Sequence, residues 1–124
     1  MVALVSGGSE MQTVADKLIA VGYDLVVHVE PLSCAPLAND NNSHFETACT
    51  KLHIFNLTQF RLVVHLDSDA LVVHQSATTV FQLRHHLTEQ QSLTATPEAI
   101  LPSLFNTGVL VVLPNLQRFT ETEE

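Results

Sequence analysis

Short apolar runs alternate with segments of helical periodicity along the first part of the chain. Residues 2–5 and 25–29 are apolar runs of the length of buried strands. Between these runs, apolar residues recur at helical spacing after Ser9, and Gln12 stands three residues beyond it, as a capping box requires. The pattern therefore predicts a strand, a helix that ends before Gly22, and a second strand.

The same alternation continues after a polar segment, residues 30–42, which predicts a surface loop. Ser43 and Glu46 form a second capping box, and apolar residues recur on one helix face as far as Phe55. Further elements are predicted beyond this helix: strands at residues 62–66, 93–96 and 109–113, and a helix at residues 77–86. Apolar strands that alternate with helices favour an α/β fold with a mostly parallel sheet and helices on both faces.

Composition limits the class of protein. At 124 residues the chain has the length of one domain, which we expect over residues 1–120, followed by an acidic tail at residues 121–124. A hydrophobic share of 46% and a charged share of 15%, without a long uninterrupted apolar stretch, predict a globular chain with no membrane span. The formal net charge of −8 repels polyanions, which makes nucleic acid a poor partner.

The cysteines and the start of the chain bear on its location. Cys34 and Cys49 are too few for a disulfide framework, which favours a reducing compartment. The first residues lack the basic region and the long apolar region of a secretory signal. We therefore expect a cytoplasmic location.

Asp67 and Asp69 carry the clearest chemical signal in the sequence. They follow a buried strand directly and precede a second apolar run, residues 70–73. Ligands of open α/β sheets bind at the carboxyl ends of strands, and Mg²⁺ or Mn²⁺ takes carboxylate oxygens together with waters and substrate phosphates. The pair therefore predicts a divalent metal site. The alternative is a plain turn, in which each carboxylate accepts hydrogen bonds from nearby backbone amides.

Two weaker candidates accompany the acidic pair. Asn106, Thr107 and Gly108 lie between a proline-containing loop and an apolar run, so they are either an ordinary turn or polar groups at the mouth of a strand. Lys51 lies on a predicted helix of an acidic chain, where it either binds an anionic diphosphate or is a solvated surface residue. The seven histidines are scattered, and we assign them no catalytic role.

Taken in order, these motifs resemble the glycogenin-like family of retaining glycosyltransferases. The resemblance is carried by a Thr-Lys-Leu helix, a strand that ends in Asp-Ser-Asp, and an Asn-Thr-Gly segment. The matching residues are 50–52, 57–60, 63–72, 93–97 and 105–109. Residues 1–32 resemble the family only in outline.

The resemblance implies a Rossmann-like fold of the nucleotide-diphospho-sugar transferase type, also called GT-A. It implies a hexosyltransferase that uses a UDP-sugar donor with Mn²⁺ or Mg²⁺ and transfers the sugar, with retention, to the hydroxyl of a glycan or protein acceptor. By carry-over, Asp67 and Asp69 would hold the metal, and Asp67 with Ser68 would lie near the donor ribose. Lys51 would approach the donor phosphate or sugar. The residues that would line the sugar site are Asn106, Thr107 and Gly108. The resemblance names no catalytic residue and no oligomeric state.

The chain departs from the family pattern at both ends. Members place a nucleotide-binding strand upstream of these motifs, and a histidine ligand and a Gly-Asp-Gln motif downstream, so we expect a truncated, partial domain. An inactive glycosyltransferase-like module for interaction or structure is therefore the main alternative. A metal-dependent phosphohydrolase is less consistent, because its acidic pair follows the first strand of the chain, whereas Asp67 lies in the middle.

Overall fold

The computed structural model describes residues 1–33, 48–97 and 105–121, without the side chains of residues 48, 76, 77 and 121. The chain forms two compact units, Met1–His53 and Ile54–Glu124. The predicted capping box of Ser43 and Glu46 and most of the acidic tail lie outside the described residues. Whether residues 1–120 form a single domain stays a prediction.

The first unit contains a parallel pair of strands joined by a helix. Strand β1 (Val2–Val5) pairs with β2 (Leu25–His28), and helix α1 (Met11–Ala20) connects them. The helix is followed by Gly22, whose φ of +104° is a conformation that glycine adopts without a steric penalty. The predicted strand, helix and strand are confirmed.

The start of α1 differs from the prediction. Glu10 occupies the N-cap position, and no side chain makes a capping hydrogen bond there. Gln12 instead donates a hydrogen bond from Nε2 to Asp16 Oδ1, at 2.9 Å, one turn further along the helix. The capping box of Ser9 and Gln12 was therefore wrong, because Ser9 precedes the cap by one residue.

A 3₁₀ helix, Ala48–Asn56, lies where the sequence predicted the end of an α-helix. It is attached to the segment after β2, because Thr50 Oγ1 accepts a hydrogen bond from Leu32 N at 3.0 Å and His53 Nε2 lies 2.8 Å from Glu30 O. Cys49 is disulfide-bonded, which differs from the expectation of reduced cysteines.

The second unit is built on a sheet with the strand order β3-β5-β4. The three strands are β3 (Val63–Leu66), β4 (Leu93–Pro97) and β5 (Phe105–Val112), and β5 pairs antiparallel with both neighbours. The register of β4 shifts between Ala95, which pairs with Leu110, and Thr96, which pairs with Asn106.

The prediction of a mostly parallel sheet fails for the strands that the structure describes. The β1 and β2 pair is parallel, whereas both pairings of β5 are antiparallel. Apolar runs establish that a strand is buried, but they do not encode the direction in which its neighbours run. The α/β composition itself is confirmed.

The buried core of the second unit lies along the second half of β5. Val111 and Val112 are almost fully buried, with exposed fractions of 1% and 0%. The other buried apolar side chains of this unit are Ile54, Phe55, Leu57, Leu87, Leu110 and Phe119. These residues come from several elements that are distant in sequence, so β5 organises the packing of the whole unit.

Two helices complete the second unit. A second 3₁₀ helix, Gln75–His86, lies where a helix was predicted over residues 77–86. Helix α2 (Leu116–Glu121) was not predicted. Asn115 caps it, because its Oδ1 accepts hydrogen bonds from the backbone N–H groups of Gln117 and Arg118 at 2.9 and 3.4 Å.

Residues 70–73 form an apolar run in the sequence, yet they are exposed in the structure. Leu71 and Val73 are each 83% exposed, and Val72 is 58% exposed. The segment follows the turn after β3 and precedes the second 3₁₀ helix, so it belongs to neither sheet nor helix. Among the described residues, no helix is long and apolar enough to span a membrane.

The burial of β5 predicts the effect of a core substitution. Val111→Ala removes two buried methyl groups, so we expect the free energy of unfolding to fall by about 2 kcal/mol. Val73→Ala makes the same chemical change at an exposed site, and we expect a loss below about 0.5 kcal/mol. Urea unfolding followed by circular dichroism measures both losses, and equal losses would contradict the assignment of the core.

Candidate functional site

Asp67 is placed by the end of β3 and by the turn that follows. Its backbone N–H donates to Gly108 O at 2.9 Å, which extends the β3 and β5 ladder by one residue. Its carbonyl oxygen accepts a hydrogen bond from Ala70 N at 2.9 Å, which closes a four-residue turn. The Asp67 side chain is half-buried, whereas Ser68 and Asp69 in the turn are exposed. Of the two carboxylates, that of Asp67 is thus the more shielded from solvent.

Asn106, Thr107 and Gly108 lie within β5, whereas the sequence predicted a turn or the mouth of a strand that begins at residue 109. The segment still contains a local turn-like hydrogen bond, because Asn106 Oδ1 accepts the backbone N–H of Gly108 at 2.7 Å. The side chains of Asn106 and Thr107 are exposed. Sequence patterning placed the strand four residues late, because these polar residues interrupt its apolar run.

Gly108 provides the space in which Asp67 and Asn106 approach each other. A Cβ atom at position 108 would lie 2.8 Å from Asn106 Oδ1 and 3.6 Å from Asp67 Oδ2. The first distance is shorter than side chains tolerate, so only glycine fits without a shift of Asn106. Asn106 Oδ1 and Asp67 Oδ2 therefore both lie near the position where a side chain of residue 108 would begin.

The oxygen atoms of this site are of the type that a hard divalent cation prefers. Mg²⁺ and Mn²⁺ prefer oxygen ligands, and a typical nucleotide site supplies one or two carboxylates while waters and phosphates fill the remaining positions. Asp67 and Asp69 provide two such carboxylates at one turn. Within residues 1–33, 48–97 and 105–121, no group of three or more His, Cys, Asp and Glu side chains is arranged to hold a metal.

His65 joins the site, although sequence reasoning assigned it no role. Its Nε2 lies 3.1 Å from Asp67 Oδ1. The two residues are separated by one position on a strand, so they lie on the same face of the sheet. The alternation of side chains along β3 could have revealed this contact, since a histidine two residues before an aspartate on a strand is within reach of it.

Lys51 lies in the first compact unit, within the 3₁₀ helix, and its side chain is half-buried. The neighbouring Thr50 and His53 contact the backbone of Leu32 and Glu30. These contacts hold the helix backbone on both sides of Lys51. Its role in donor binding stays a prediction.

A surface cavity of about 620 Å³ lies elsewhere in the second unit. Phe55, Leu87 and Arg118 contribute to its walls. None of the predicted site residues lines it, so its size is no argument for the location of the donor site.

Comparison with known proteins identifies the family. No protein-family model matches the chain. Over 97 residues it is 35% identical to glycogenin of Neurospora crassa, an alignment that covers 76% of this chain and 13% of that protein. It is 29% identical to glycogenin-1 of Oryctolagus cuniculus over 108 residues, which cover 85% of this chain and 30% of that protein.

A yeast relative extends the similarity along the chain. Glycogenin-2 of Saccharomyces cerevisiae is 25% identical over 126 residues, which cover 94% of this chain and 33% of the relative. The chain thus spans between 13% and 33% of the length of these three relatives. By sequence, the chain is glycogenin-like and matches one part of each of these relatives, which belong to the family that its ordered motifs resemble.

Proposed function

We propose that this chain contributes the donor-binding part of a hexosyltransferase that uses a UDP-sugar and a divalent metal, Mn²⁺ or Mg²⁺. The sugar would pass to a hydroxyl of a glycan or protein acceptor with retention at the anomeric carbon. The similarity to glycogenins supports a glycosyltransferase. The donor, the metal and the stereochemistry are the finer parts of the proposal.

One observation carries the proposal. Asp67 follows β3, and its Oδ2 and Asn106 Oδ1 both lie near the position where a side chain of residue 108 would begin. Asn106 Oδ1 also accepts the Gly108 N–H, so the local turn accounts for that oxygen. The carboxylate beside it, at the carboxyl end of a strand, is the group that supports a cation and its ligand.

Each candidate residue would contact a different part of the donor. Asp67 and Asp69 would hold the metal, which when bound neutralises negative charge on the departing UDP diphosphate. Lys51 would add a second positive charge near the phosphate or sugar. Asp67 and Ser68 would lie near the ribose, and the Asn106 amide, with Thr107 and Gly108 shaping the backbone, would hydrogen-bond the sugar. Each of these assignments is part of the proposal.

The proposal also covers the domain organisation and the location of the protein. We infer that residues 1–120 belong to a single Rossmann-like domain of the GT-A type and that residues 121–124 form an acidic tail. Within the first unit, the parallel pair of β1 and β2, joined by α1, supports this proposal, since parallel strands joined by a helix are the repeating element of such folds. We place the protein in the cytoplasm, as the sequence indicated, although the disulfide of Cys49 argues against a reducing compartment.

An inactive module of the same fold is the alternative to activity. Such a module keeps the strands and their packing but has no need to bind a nucleotide. The two proposals therefore differ in one measurable property, which is the metal-dependent binding of UDP by the folded chain.

Calorimetric titration of UDP tests the proposal. In the presence of Mn²⁺ we expect binding that disappears when the metal is chelated, because the cation links the carboxylates to the diphosphate. Asp69→Asn keeps the size of the side chain but removes its charge, and we expect affinity to fall by at least about tenfold.

Glu89→Gln is the matched control for this experiment. Glu89 is also an exposed acidic residue of the second unit, and its neutralisation changes the net charge by the same amount. We expect unchanged UDP affinity. Equal losses of UDP affinity in both variants would show that only the net charge of the chain matters. If the folded native chain binds no UDP, the inactive module is favoured.

Gly108→Ala tests the space between Asp67 and Asn106. The added methyl group must displace Asn106, since its Cβ would lie 2.8 Å from Oδ1. We expect UDP affinity in the presence of Mn²⁺ to fall by about tenfold, because the oxygen atoms that face the ligand move apart.

Gly8→Ala is the control for the glycine substitution. A Cβ atom at position 8 meets no other atom within 4 Å, so UDP affinity should stay at the native value. Calorimetry measures affinity, and thermal unfolding confirms that both variants fold. If the Gly108→Ala protein binds UDP as tightly as the native protein, the space beside Gly108 is not part of the donor site.

A further inference from the structure

We propose that His65 is a positioning residue for Asp67. In this role it holds one oxygen of the carboxylate and so restrains the plane of the carboxylate beside Gly108. The inference rests on the proposed metal site and deepens it, because it assigns a cause to the orientation of one of its ligands.

The contact between the two side chains has the geometry of a hydrogen bond. His65 Nε2 and Asp67 Oδ1 are 3.1 Å apart, and the side chains are only 18% and 29% exposed. An ionised carboxylate only accepts hydrogen bonds, so Nε2 carries the hydrogen and donates it. Partial burial reduces competition from water, which strengthens this contact relative to one at the surface.

The strand pairing fixes the positions from which both side chains start. His65 pairs with Leu110, which is buried, and the Asp67 N–H donates to Gly108 O. His65 therefore lies inside the regular ladder, whereas Asp67 lies at its end, where the turn begins. The His65 side chain, which starts from a paired position of the sheet, thus restrains the Asp67 side chain at the end of the pairing.

The two oxygen atoms of Asp67 consequently have different surroundings. Oδ1 accepts a hydrogen bond from His65, whereas Oδ2 lies 3.6 Å from the position that a Cβ at residue 108 would occupy. Rotation of the carboxylate out of this plane would lengthen the hydrogen bond, whereas a half-turn only exchanges two equivalent oxygens and restores it. His65 thereby favours one plane of the carboxylate, and a ligand that binds the other oxygen meets this plane already set.

Direct measurement of Mn²⁺ affinity, by calorimetry on the full chain, tests this role without reference to catalysis. His65→Phe keeps a ring on β3 but removes the donor, and we expect Mn²⁺ to bind about tenfold more weakly. His65→Gln restores an N–H donor of similar reach and should recover most of the affinity. His85→Phe, at an exposed histidine of the same unit, should leave the affinity unchanged.

The outcomes separate this inference from the proposed function. If the native chain binds no Mn²⁺, both the metal site and the role of His65 are wrong. If the native chain and His65→Phe bind Mn²⁺ equally, only the role of His65 is wrong. Should His65→Phe not fold, His65→Asn, whose amide is too short to reach Oδ1, should show the same loss that His65→Gln does not show.

Discussion

The antiparallel pairing of β3 with β5 is the interaction on which the second unit and its candidate site depend. It aligns Leu66 with Val109 and continues in the hydrogen bond from Asp67 N to Gly108 O at 2.9 Å. The same strand, β5, carries the buried Val111 and Val112. The core and the candidate site therefore both depend on β5. Packing of the second half of this strand holds its first half opposite the acidic turn.

Charge makes this turn costly when no ligand is bound. The chain has a formal net charge of −8, and Asp67 and Asp69 lie one residue apart. Like charges at this separation disfavour each other, and partial burial of Asp67 adds a desolvation cost. The contact with His65 and the exposure of Asp69 reduce this cost. A doubly charged cation would offset it more completely, which gives a physical reason for the acidic pair.

The sequence predicted the elements better than the contacts between them. Apolar runs located β1, β2 and β3, since such runs depend on local burial, and the acidic pair was found at the end of β3. Strand direction, the exposure of residues 70–73 and the inclusion of Asn106 in β5 were not predicted, because each depends on partners distant in sequence. The helix α2 was missed because it is only six residues long, although Asn115 after a proline is a local signal for its start.

The irregularity in β4 has a mechanical consequence for the acidic turn. The register passes from Ala95 opposite Leu110 to Thr96 opposite Asn106, so β4 passes over residues 107–109 of β5. On the other side, Leu66 of β3 pairs with Val109, and the Asp67 N–H donates to Gly108 O. The acidic turn therefore depends more on the border of the sheet formed by β3 than on the border formed by β4.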